Sequence, residues 1–271
     1  MKVVLFCGGQ GMRLRDYSDT IPKPMVHVGY RPILWNVMKY YAHFGHKEFI
    51  LCLGHKSDII KNYFMNYSEY LSNDFTLSGG GRDIELYNRD IEDWKITFVD
   101  TGLTSNIGQR LMAAKRYLDK EEVFLANYSD GLTDVHLPTV IDYHKKTGKT
   151  ACFLSVRPTN SFHIVDAEDS GTVTSIRGFD NTDLWMNGGC FVLKPDIFDQ
   201  MKPGDELVLQ PFKRLIDMEQ LITYKYEGFW VSMDTFKDKQ HLDDMIARGE
   251  TPWEVWKTAG ASNGHGAVGA G

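Results

Sequence analysis

The sequence predicts an α/β fold built on a largely parallel sheet. Strand-like and helix-like stretches alternate through the first half of the chain, and a β-α-β-α order favours parallel strands joined by right-handed crossovers. The length of 271 residues suits one large domain or a domain with an appendage. Hydrophobic residues make up 42% and charged residues 24% of the chain, so its composition is globular and disorder is excluded for most of it.

The elements of the first half follow from local patterns. Apolar, β-branched runs predict strands, and apolar residues at helical spacing between proline and glycine predict helices. The predicted strands are Lys2–Phe6, Glu48–Leu53, Lys95–Val99 and Val123–Asn127. The predicted helices are Pro32–Phe44, Ser57–Tyr70 and Gly108–Leu118. Residues 73–93 break the alternation and predict an excursion or hairpin at the sheet edge.

The second half is organised differently, because short strands replace the long alternation after Pro158. The predicted strands are 163–167, 172–177, 189–194 and 221–227, and the predicted helices are 210–220 and 235–248. Residues 258–271 are rich in glycine and alanine and predict a disordered tail. We therefore expect one domain over residues 1–257.

Charge and cysteine content limit the partners of this chain. Thirty basic against 36 acidic side chains give a net charge of −6, which argues against nucleic acid or an anionic membrane as a partner.

The four cysteines lie far apart in apolar runs. This pattern favours buried, reduced thiols over disulfides or zinc ligands and indicates a cytoplasmic protein. No segment approaches the ~18 apolar residues of a membrane span.

The sharpest motif follows the first predicted strand, where residues 8–14 read Gly-Gly-Gln-Gly-Met-Arg-Leu. Glycines let the backbone approach a ligand and turn N–H groups toward phosphate oxygens, and Arg13 adds a planar cation suited to phosphate. Taken alone, such a segment also fits a plain turn. The dinucleotide-binding fingerprint of an NAD-type oxidoreductase is broken at Leu14, and the Gly-Lys-Ser/Thr of a P-loop is missing.

Lys23 stands between Pro22 and Pro24. Prolines on both sides stiffen the backbone, so we expect Lys23 to be presented from a rigid extended segment as a point charge for a phosphoryl group. An isolated Pro-Lys-Pro more often presents a solvated surface lysine. Because Lys23 follows Arg13 by only ten residues, we favour a role in phosphate binding over that of a surface lysine.

Two aspartates follow strand-like segments. Asp130 precedes Gly131, and Asp234 follows the aromatic stretch Trp230–Met233. Open α/β sheets bind ligands at the carboxyl ends of their strands, and Mg²⁺ prefers carboxylate oxygens. The pattern therefore predicts a magnesium site made by Asp130 and Asp234, with helix-capping or turn aspartates as the alternative.

These motifs together resemble the sugar-1-phosphate nucleotidylyltransferases, or sugar-nucleotide pyrophosphorylases. The signature of that family is Gly-Gly-x-Gly-x-Arg-Leu followed by a lysine in a proline-flanked segment. Further matches are Tyr128–Gly131, Asn187–Gly189 and Phe229–Thr235. Ile33–Trp35 and Pro252–Trp256 are most similar to the glucose-1-phosphate cytidylyltransferase branch.

The resemblance implies a three-layer, Rossmann-like fold with a mixed, mostly parallel sheet of the nucleotide-diphospho-sugar transferase type and a small β part that binds the sugar. It implies Mg²⁺-assisted, in-line transfer of a nucleotidyl group from a nucleoside triphosphate, with CTP favoured, to a sugar-1-phosphate, with glucose-1-phosphate favoured. Uridylyl or thymidylyl transfer, another acceptor, and a non-catalytic nucleotide or sugar-phosphate sensor stay open as alternatives. A homo-oligomer is also expected.

The resemblance also assigns residues, with Arg13 and Lys23 as the catalytic ones. The implied nucleotide ligands are Gly8, Gly9, Gln10, Gly11, Met12, Arg13, Lys23, Ser105, Gly108, Arg110 and Asp130. For the segment that includes Ser105 and Arg110, a capped helix with an exposed arginine is the alternative. Asn187 and Gly188 are the implied sugar contacts. Residues 1–157 would mainly bind the nucleotide, and residues 158–257 would mainly bind the sugar and cap the domain.

The sugar half departs from the family pattern. Family members usually carry Glu-Lys-Pro after the strand at 172–177, and its lysine meets the sugar phosphate, whereas this chain reads Ile176-Arg177-Gly178. We expect Arg177 to take that place, although arginine and lysine differ in reach and geometry. His163 stands where the family has glycine and would reshape the sugar pocket.

Overall fold

The fold is traced in a computed structural model that describes residues 1–9, 21–158, 163–178 and 183–258. Its strands are β1 (Val3–Phe6), β2 (His27–Val28), β3 (Arg31–Pro32), β4 (Glu48–Leu53), β5 (Phe75–Ser78), β6 (Asp83–Leu86), β7 (Lys95–Asp100), β8 (Phe124–Asn127), β9 (Gly131–Thr133), β10 (Ala151–Val156), β11 (His163–Ala167), β12 (Val173–Gly178), β13 (Met186–Leu193), β14 (Leu221–Tyr226) and β15 (Trp230–Ser232). Its α-helices are α1 (Ile33–His43), α2 (Ser57–Met65), α3 (Ile107–Ala114), α4 (Leu137–Thr147), α5 (Gln210–Asp217), α6 (Phe236–Ala247) and α7 (Val255–Thr258).

A seven-stranded sheet forms the centre, in the order β14-β10-β13-β8-β1-β4-β7. β13 runs antiparallel to both of its neighbours, and the other pairs in this sheet are parallel. The mixed, mostly parallel sheet predicted above is therefore confirmed. The strands fall into two adjacent blocks, because β14, β10 and β13 extend on one side the part of the sheet that β8, β1, β4 and β7 form.

Helices cover both faces of this sheet, which gives three layers. Along β1, Val3 and Leu5 point to the face covered by α1, α2, α4 and α6, whereas Val4 and Phe6 point to the face covered by α3 and α5. Successive side chains of a strand point to opposite faces, so a continuous apolar run is what a sheet buried on both sides requires.

Local signals explain several helix ends. The side chain of Asn106 accepts a hydrogen bond from the Gln109 backbone N–H, and the Gln109 side chain accepts one from the Asn106 N–H, which makes a capping box at the start of α3. Thr235 and Asp238 cap α6 in the same way. α4 ends at Gly148, whose φ of 67° is left-handed and favours glycine.

Most predicted elements are present within a few residues of their expected ends. The predicted helix at 57–70 is shorter than expected: α2 ends at Met65, and a separate 3₁₀ turn follows at Glu69–Leu71. The helix predicted at 108–118 likewise splits into α3 and a 3₁₀ turn. The excursion at 73–93 contains the hairpin β5–β6, which pairs only with itself among the described strands. The structure also contains α4 and β10, which are not among the predicted elements.

The C-terminal segment closes the domain. Trp253 is buried and stacks on Phe229 at 5.6 Å between ring centroids, and Trp256 meets Trp35 edge-on at 5.9 Å. The tail predicted over 258–271 lies outside the described residues, apart from Thr258. None of the helices described has the length and apolar character to cross a membrane.

Three of the cysteines, Cys7, Cys52 and Cys152, are buried as predicted, and Cys190 is partly buried. All four are free, and burial raises the pKa of Cys7 and of Cys190 to about 12. Thiols with such pKa values stay protonated at neutral pH and are poor nucleophiles and metal ligands.

Candidate active site

A cleft of about 540 Å³ opens at the carboxyl ends of β1 and β8. Six of the predicted site residues line it: Gly9, Lys23, Ser105, Arg110, Asp130 and Asp234. The remaining lining residues are Phe6, Pro24, Asn106, Ile107, Tyr128, Ser129 and Glu206. The predicted positions Gln10, Gly11, Met12 and Arg13 lie outside the described residues.

Lys23 joins the two predicted metal ligands. Its Nζ donates hydrogen bonds to Asp130 Oδ2 at 2.6 Å and to Asp234 Oδ1 at 2.7 Å. Pro22 is extended, as the flanking prolines predicted, but Lys23 itself begins a 3₁₀ turn, because the Val26 N–H donates to its carbonyl. The expectation of an extended segment at Lys23 is therefore wrong, while the expectation of a held, non-solvated lysine is met by a side chain only 14% exposed.

Asp130 is placed by an unusual turn at the end of β8. Ser129 has a φ of 68°, a left-handed conformation uncommon for a residue with a side chain. Its hydroxyl donates to the Phe6 carbonyl at 2.9 Å, and its N–H donates to Asn127 Oδ1 at 2.8 Å. These two bonds hold the turn in place and aim Asp130 at the cleft.

Strand pairing places Asp234 next to Asp130 and Lys23. β15 pairs antiparallel with β9, with Ser232 opposite Gly131, and the Met233 N–H donates to the Asp130 carbonyl at 3.0 Å. The Ser232 hydroxyl donates to Asp234 Oδ2 at 3.0 Å. The short β9–β15 ribbon therefore brings two carboxylates together from distant parts of the chain.

Burial and charge oppose each other at this cluster. Burial lowers the pKa of Lys23, but Asp130 and Asp234 more than offset that effect, so its pKa is raised and the ammonium stays charged. Burial raises the pKa of the Asp130 carboxyl, an effect that the Lys23 charge only partly cancels. Two partly buried carboxyl groups side by side stay ionised only when a cation lies beside them. The space between Asp130 and Asp234 therefore favours a positive charge.

Arg110 has a different environment from the one expected. It is 3% exposed, and its guanidinium donates to the carbonyls of Gly8, Leu53 and Gly102 and to the Thr101 hydroxyl, at 2.6 to 3.2 Å. The alternative of an exposed arginine is therefore wrong. Arg110 ties together the ends of β1, β4 and β7, and hydrogen bonding to the nucleotide stays a prediction.

Two glycines of the predicted set are required by packing. A Cβ on Gly8 would lie 2.0 Å from Nη1 of Arg110, and a Cβ on Gly108 would lie 2.2 Å from the Asp205 carbonyl oxygen. Gly108 thus lets the loop before α5 lie against the start of α3, and that loop brings Glu206 into the cleft wall. Contact between Gly108 and a base stays a prediction.

The predicted sugar contacts lie beside the cleft. Asn187 Nδ2 donates to the Tyr128 hydroxyl at 3.2 Å, and Trp230 Nε1 donates to the Gly188 carbonyl at 2.9 Å. Gly189 has a φ of 74°, and a Cβ there would lie 2.5 Å from the Tyr128 ring. The Asn-Gly-Gly motif therefore supports the Tyr128 ring that lines the cleft.

Arg177 lies elsewhere. It stands on β12 of the β11–β12 hairpin, where its guanidinium is 2.9 Å from the Asp166 carboxylate, and it does not line the cleft. Tyr128 and Glu206 line the cleft but are not among the predicted site residues. Tyr128 adjoins the Ser-Asp-Gly motif, which could have indicated it, whereas nothing local indicates Glu206.

Comparison with known proteins gives the family. The model of a family described as nucleotidyl transferase matches residues 2–230. The chain belongs to the nucleotidyl transferase family. A glucose-1-phosphate cytidylyltransferase of Salmonella typhi is 37% identical to this nucleotidyl transferase over 259 residues, which cover 95% of this chain and all of the relative. The resemblance predicted from the motifs is confirmed.

Solved structures support the fold of this nucleotidyl transferase. A UDP-glucose pyrophosphorylase complexed with UDP-glucose superposes with a TM-score of 0.67 at 15% identity, covering 92% of this chain and 98% of the other. HddC from Yersinia pseudotuberculosis superposes with a TM-score of 0.63 at 19% identity, covering 90% and 99%. At these identities the likeness concerns the fold alone.

The carboxylates of this nucleotidyl transferase fit a divalent cation. Asp130 Oδ2 and Asp234 Oδ1 lie 2.6 and 2.7 Å from the Lys23 ammonium, so the two oxygens are close enough together for one cation to contact both, and in this structure that cation is Lys23. In the part of the chain that the structure describes, no group of three or more His, Cys, Asp or Glu side chains could hold a metal ion. Mg²⁺ needs only one or two carboxylates when substrate phosphates and water complete its shell.

Proposed function

We propose that this chain transfers a cytidylyl group from CTP to glucose-1-phosphate, giving CDP-glucose and pyrophosphate. The observation that carries the proposal is the convergence of Lys23, Asp130 and Asp234 in one cleft at the carboxyl edge of the sheet. The choice of CTP and glucose-1-phosphate rests on the Salmonella typhi relative, which is 37% identical over its whole length.

The chemistry needs alignment and charge neutralisation more than proton transfer. An oxygen of the sugar-1-phosphate attacks the α-phosphorus of the triphosphate and forms a new P–O bond. The bond from that phosphorus to the oxygen bridging the β-phosphate breaks, and its electron pair leaves with pyrophosphate. The attacking oxygen is already anionic at neutral pH, so the barrier comes mainly from repulsion between anions and from misalignment.

Each predicted residue has a place in this proposal. Lys23 and Arg13 neutralise phosphates, together with the N–H groups of residues 8–12. Ser105, Gly108 and Arg110 form the wall for the nucleoside, Arg110 by fixing the loops around it. Asn187 and Gly188 contact the sugar, and Arg177 is the candidate from the sequence for the acceptor phosphate. Residues 1–157 mainly serve the nucleotide, and residues 158–257 mainly serve the sugar and the C-terminal cap.

Magnesium is the proposed cofactor, held by Asp130 and Asp234. When bound, it would supply positive charge to the phosphates and hold them in a fixed orientation. The chain's own contribution is the ribbon β9–β15 that places the two carboxylates, and Lys23, which lies within hydrogen-bond distance of both.

Assembly and location complete the proposal. We expect a homo-oligomer that acts in the cytoplasm, in keeping with four free cysteines and a net charge of −6. No nucleic acid or membrane partner is proposed.

A substrate matrix tests this function. Four nucleoside triphosphates are combined with several sugar-1-phosphates, and pyrophosphate release is measured for each pair with Mg²⁺ present. We expect the highest kcat/KM for CTP with glucose-1-phosphate. A maximum with UTP or dTTP, or with another sugar phosphate, would replace the substrate and keep the reaction. Tight nucleotide binding by calorimetry without pyrophosphate release from any pair would instead favour the sensor alternative.

A further inference from the structure

Glu206 differs from the other described carboxylates that line the cleft. Asp130 and Asp234 share the Lys23 ammonium, whereas no cation in the described part of the chain pairs with Glu206. Its Oε2 accepts a hydrogen bond from the Ile107 N–H at 3.3 Å. No described group donates to its Oε1, so this oxygen is available to a ligand.

Packing fixes the place of Glu206. Its N–H donates to Gln210 Oε1 at 2.9 Å, and the neighbouring Leu207 is fully buried. On the other side, the Asp205 carbonyl oxygen lies so close to Gly108 that a Cβ on this glycine would be 2.2 Å from it. The backbone at Glu206 is therefore held against the start of α3, and a ligand that it contacts binds with less loss of conformational freedom.

The other polar side chains at the start of α3 donate to the protein itself. The Ser105 hydroxyl donates its only proton to a backbone carbonyl, and Asn106 Nδ2 donates to another at 3.1 Å. Arg110 donates to three carbonyls and a hydroxyl. This part of the cleft therefore presents mainly acceptors to a ligand, and Glu206 supplies the charged one.

Apolar side chains beside Glu206 give the cleft a surface for a flat ring. Phe6, Ile107 and Tyr128 line the cleft with it, and the Phe6 and Tyr128 ring centroids are 6.3 Å apart. Burial raises the pKa of the Tyr128 hydroxyl, and the negative charge of Glu206 adds to this rise, so the carboxylate lies near that residue. Aromatic side chains stabilise a stacked base, so the base is the part of a nucleotide that fits this surface.

The charge of this carboxylate limits which atoms of a nucleotide it can bind. Phosphate oxygens are anionic and are repelled by Glu206, so its ligand has to be a hydrogen-bond donor. Cytosine carries an amine with two N–H donors at C4, whereas uracil and thymine carry a carbonyl oxygen there. A carboxylate accepts from the amine and repels the carbonyl oxygen, because neither oxygen can donate.

We propose that Glu206 accepts a hydrogen bond from the C4 amine of cytosine and thereby makes this chain select CTP over UTP and dTTP. The inference rests on the proposed function and adds a physical cause for its choice of nucleotide. Loss of a hydrogen bond to a charged acceptor changes the relative affinity for two bases about 10- to 100-fold.

Two substitutions of Glu206 test this role in the full-length enzyme, with pyrophosphate release as the measurement. Glu206→Ala removes the acceptor, so we expect kcat/KM for CTP to fall about 10- to 100-fold and kcat/KM for UTP to change less than about threefold. Glu206→Gln keeps an oxygen that can accept from the Ile107 N–H and adds an N–H donor suited to the uracil oxygen. We expect it to lower the CTP-to-UTP ratio by raising kcat/KM for UTP.

Asp217→Asn is the matched control, since it removes one negative charge from the exposed end of α5, outside the cleft. Its CTP-to-UTP ratio should stay within about twofold of the wild-type ratio, because solvent screens distant charges. Thermal melting shows whether each variant is folded. If Glu206→Ala unfolds, Glu206→Gln decides the test, because it retains the size of the side chain and the acceptor for Ile107.

A modified nucleotide tests the same hydrogen bond from the side of the ligand. The triphosphate of the pyrimidin-2-one ribonucleoside is CTP with hydrogen in place of the C4 amine. The wild-type enzyme should use it with a kcat/KM at least about tenfold below that for CTP. Glu206→Ala should use the two nucleotides with kcat/KM values within about twofold of each other, because the amine then has no charged partner.

Several results would overturn the inference. One is a folded Glu206→Ala enzyme that keeps the wild-type preference for CTP over UTP and over the pyrimidin-2-one nucleotide, while the wild type is active as proposed. Another is an equal loss of kcat/KM for CTP and UTP with loss of the preference for CTP over dCTP, which would assign Glu206 to a ribose hydroxyl. A wild-type enzyme that uses UTP as well as CTP would also contradict it. A wild-type chain that releases no pyrophosphate from any pair overturns the proposed function itself, and the inference with it.

Discussion

Lys23 Nζ lies 2.6 Å from Asp130 Oδ2, although 107 positions separate the two residues in the chain. Asp234 meets the same ammonium at 2.7 Å. Three charges of alternating sign therefore share one point at the carboxyl edge of the sheet. Removal of any one of these side chains leaves the remaining two with their charges no longer paired as before. The three residues are therefore expected to act as a unit.

Lys23→Ala is expected to lower kcat by about 100-fold or more, since it removes a preorganised positive charge from phosphates that approach each other. It also leaves Asp130 and Asp234 to repel each other. Pyrophosphate release measures the loss, and thermal melting shows whether the fold persists. Lys39→Ala is the matched control, because Lys39 pairs with Asp90 at 2.8 Å and does not line the cleft. Turnover near that of the wild type in Lys23→Ala would refute the role of this lysine.

Metal removal is expected to stop the reaction. With EDTA in excess, pyrophosphate release should fall to background and return when Mg²⁺ is added in excess of the chelator. The physical reason is that two carboxylates placed together, with no third described ligand, suit a cation shared with substrate phosphates. Unchanged release after chelation would count against the two-carboxylate site.

Asp130→Ala tests the same site by removing a proposed metal ligand instead of the metal ion. We expect a loss of kcat about as severe as in Lys23→Ala, measured by pyrophosphate release. Asp142→Ala removes an exposed carboxylate from α4 and should leave activity unchanged. A folded Asp130→Ala enzyme with near-normal turnover would show that Asp130 is not part of the machinery.

The sequence was most informative where chemistry and local structure coincide. An apolar run followed by glycine ends a strand, so the positions of Gly8 and Asp130 at the carboxyl edge could be predicted. The meeting of Asp130 with Asp234 could not, because it depends on the pairing of β9 with β15. Those strands have three residues each, and pairing between distant short strands leaves no local pattern.

The surroundings of Arg110 are a second feature that the sequence could not predict. The family resemblance assigned Arg110 to the nucleotide, but three of its hydrogen-bond acceptors are carbonyls at or just beyond the carboxyl ends of β1, β4 and β7. A buried arginine that satisfies backbone acceptors has the same sequence environment as one that faces a ligand. α4 is a different case, because its buried residues Leu137, Val140, Ile141 and His144 follow helical spacing, and the sequence therefore contains a pattern that predicts this helix.

Gly108→Ala is expected to reverse the usual effect of this substitution in a helix. Alanine normally stabilises a helix by about 1 kcal/mol relative to glycine. Here the added Cβ would lie 2.2 Å from the Asp205 carbonyl oxygen, which is backbone, so we expect a loss of about 1–3 kcal/mol in the free energy of unfolding. Urea denaturation measures it. KM for CTP should also rise, because Glu206 in the displaced loop lines the cleft.

The control for Gly108→Ala is Met112→Ala, which changes an exposed residue of the same helix. Its free energy of unfolding should stay within about 0.5 kcal/mol of the wild type. A Gly108→Ala protein as stable as the wild type would mean that the loop at Asp205 moves at no cost, and the packing role given to Gly108 would be wrong.

His46 is expected to make stability depend on pH between about 4 and 6.5. Burial, with smaller contributions from the N-terminal ammonium and Lys145, lowers its pKa to about 4, from an ordinary value of 6.5. Between these values the unfolded chain binds a proton that the folded chain does not, so stability falls as the pH falls through this window. With allowance for screening on its exposed side, the loss from pH 7 to pH 5 is about 1 kcal/mol.

His46→Gln removes the titrating group, so its free energy of unfolding should fall less than that of the wild type between pH 7 and pH 5. Urea denaturation at several pH values measures the difference. His241→Gln replaces an exposed histidine of α6 and should retain the wild-type pH dependence. If His46→Gln and the wild type lose stability in parallel as the pH falls, then His46 is protonated in the folded protein as readily as in the unfolded chain, and its burial carries no electrostatic penalty.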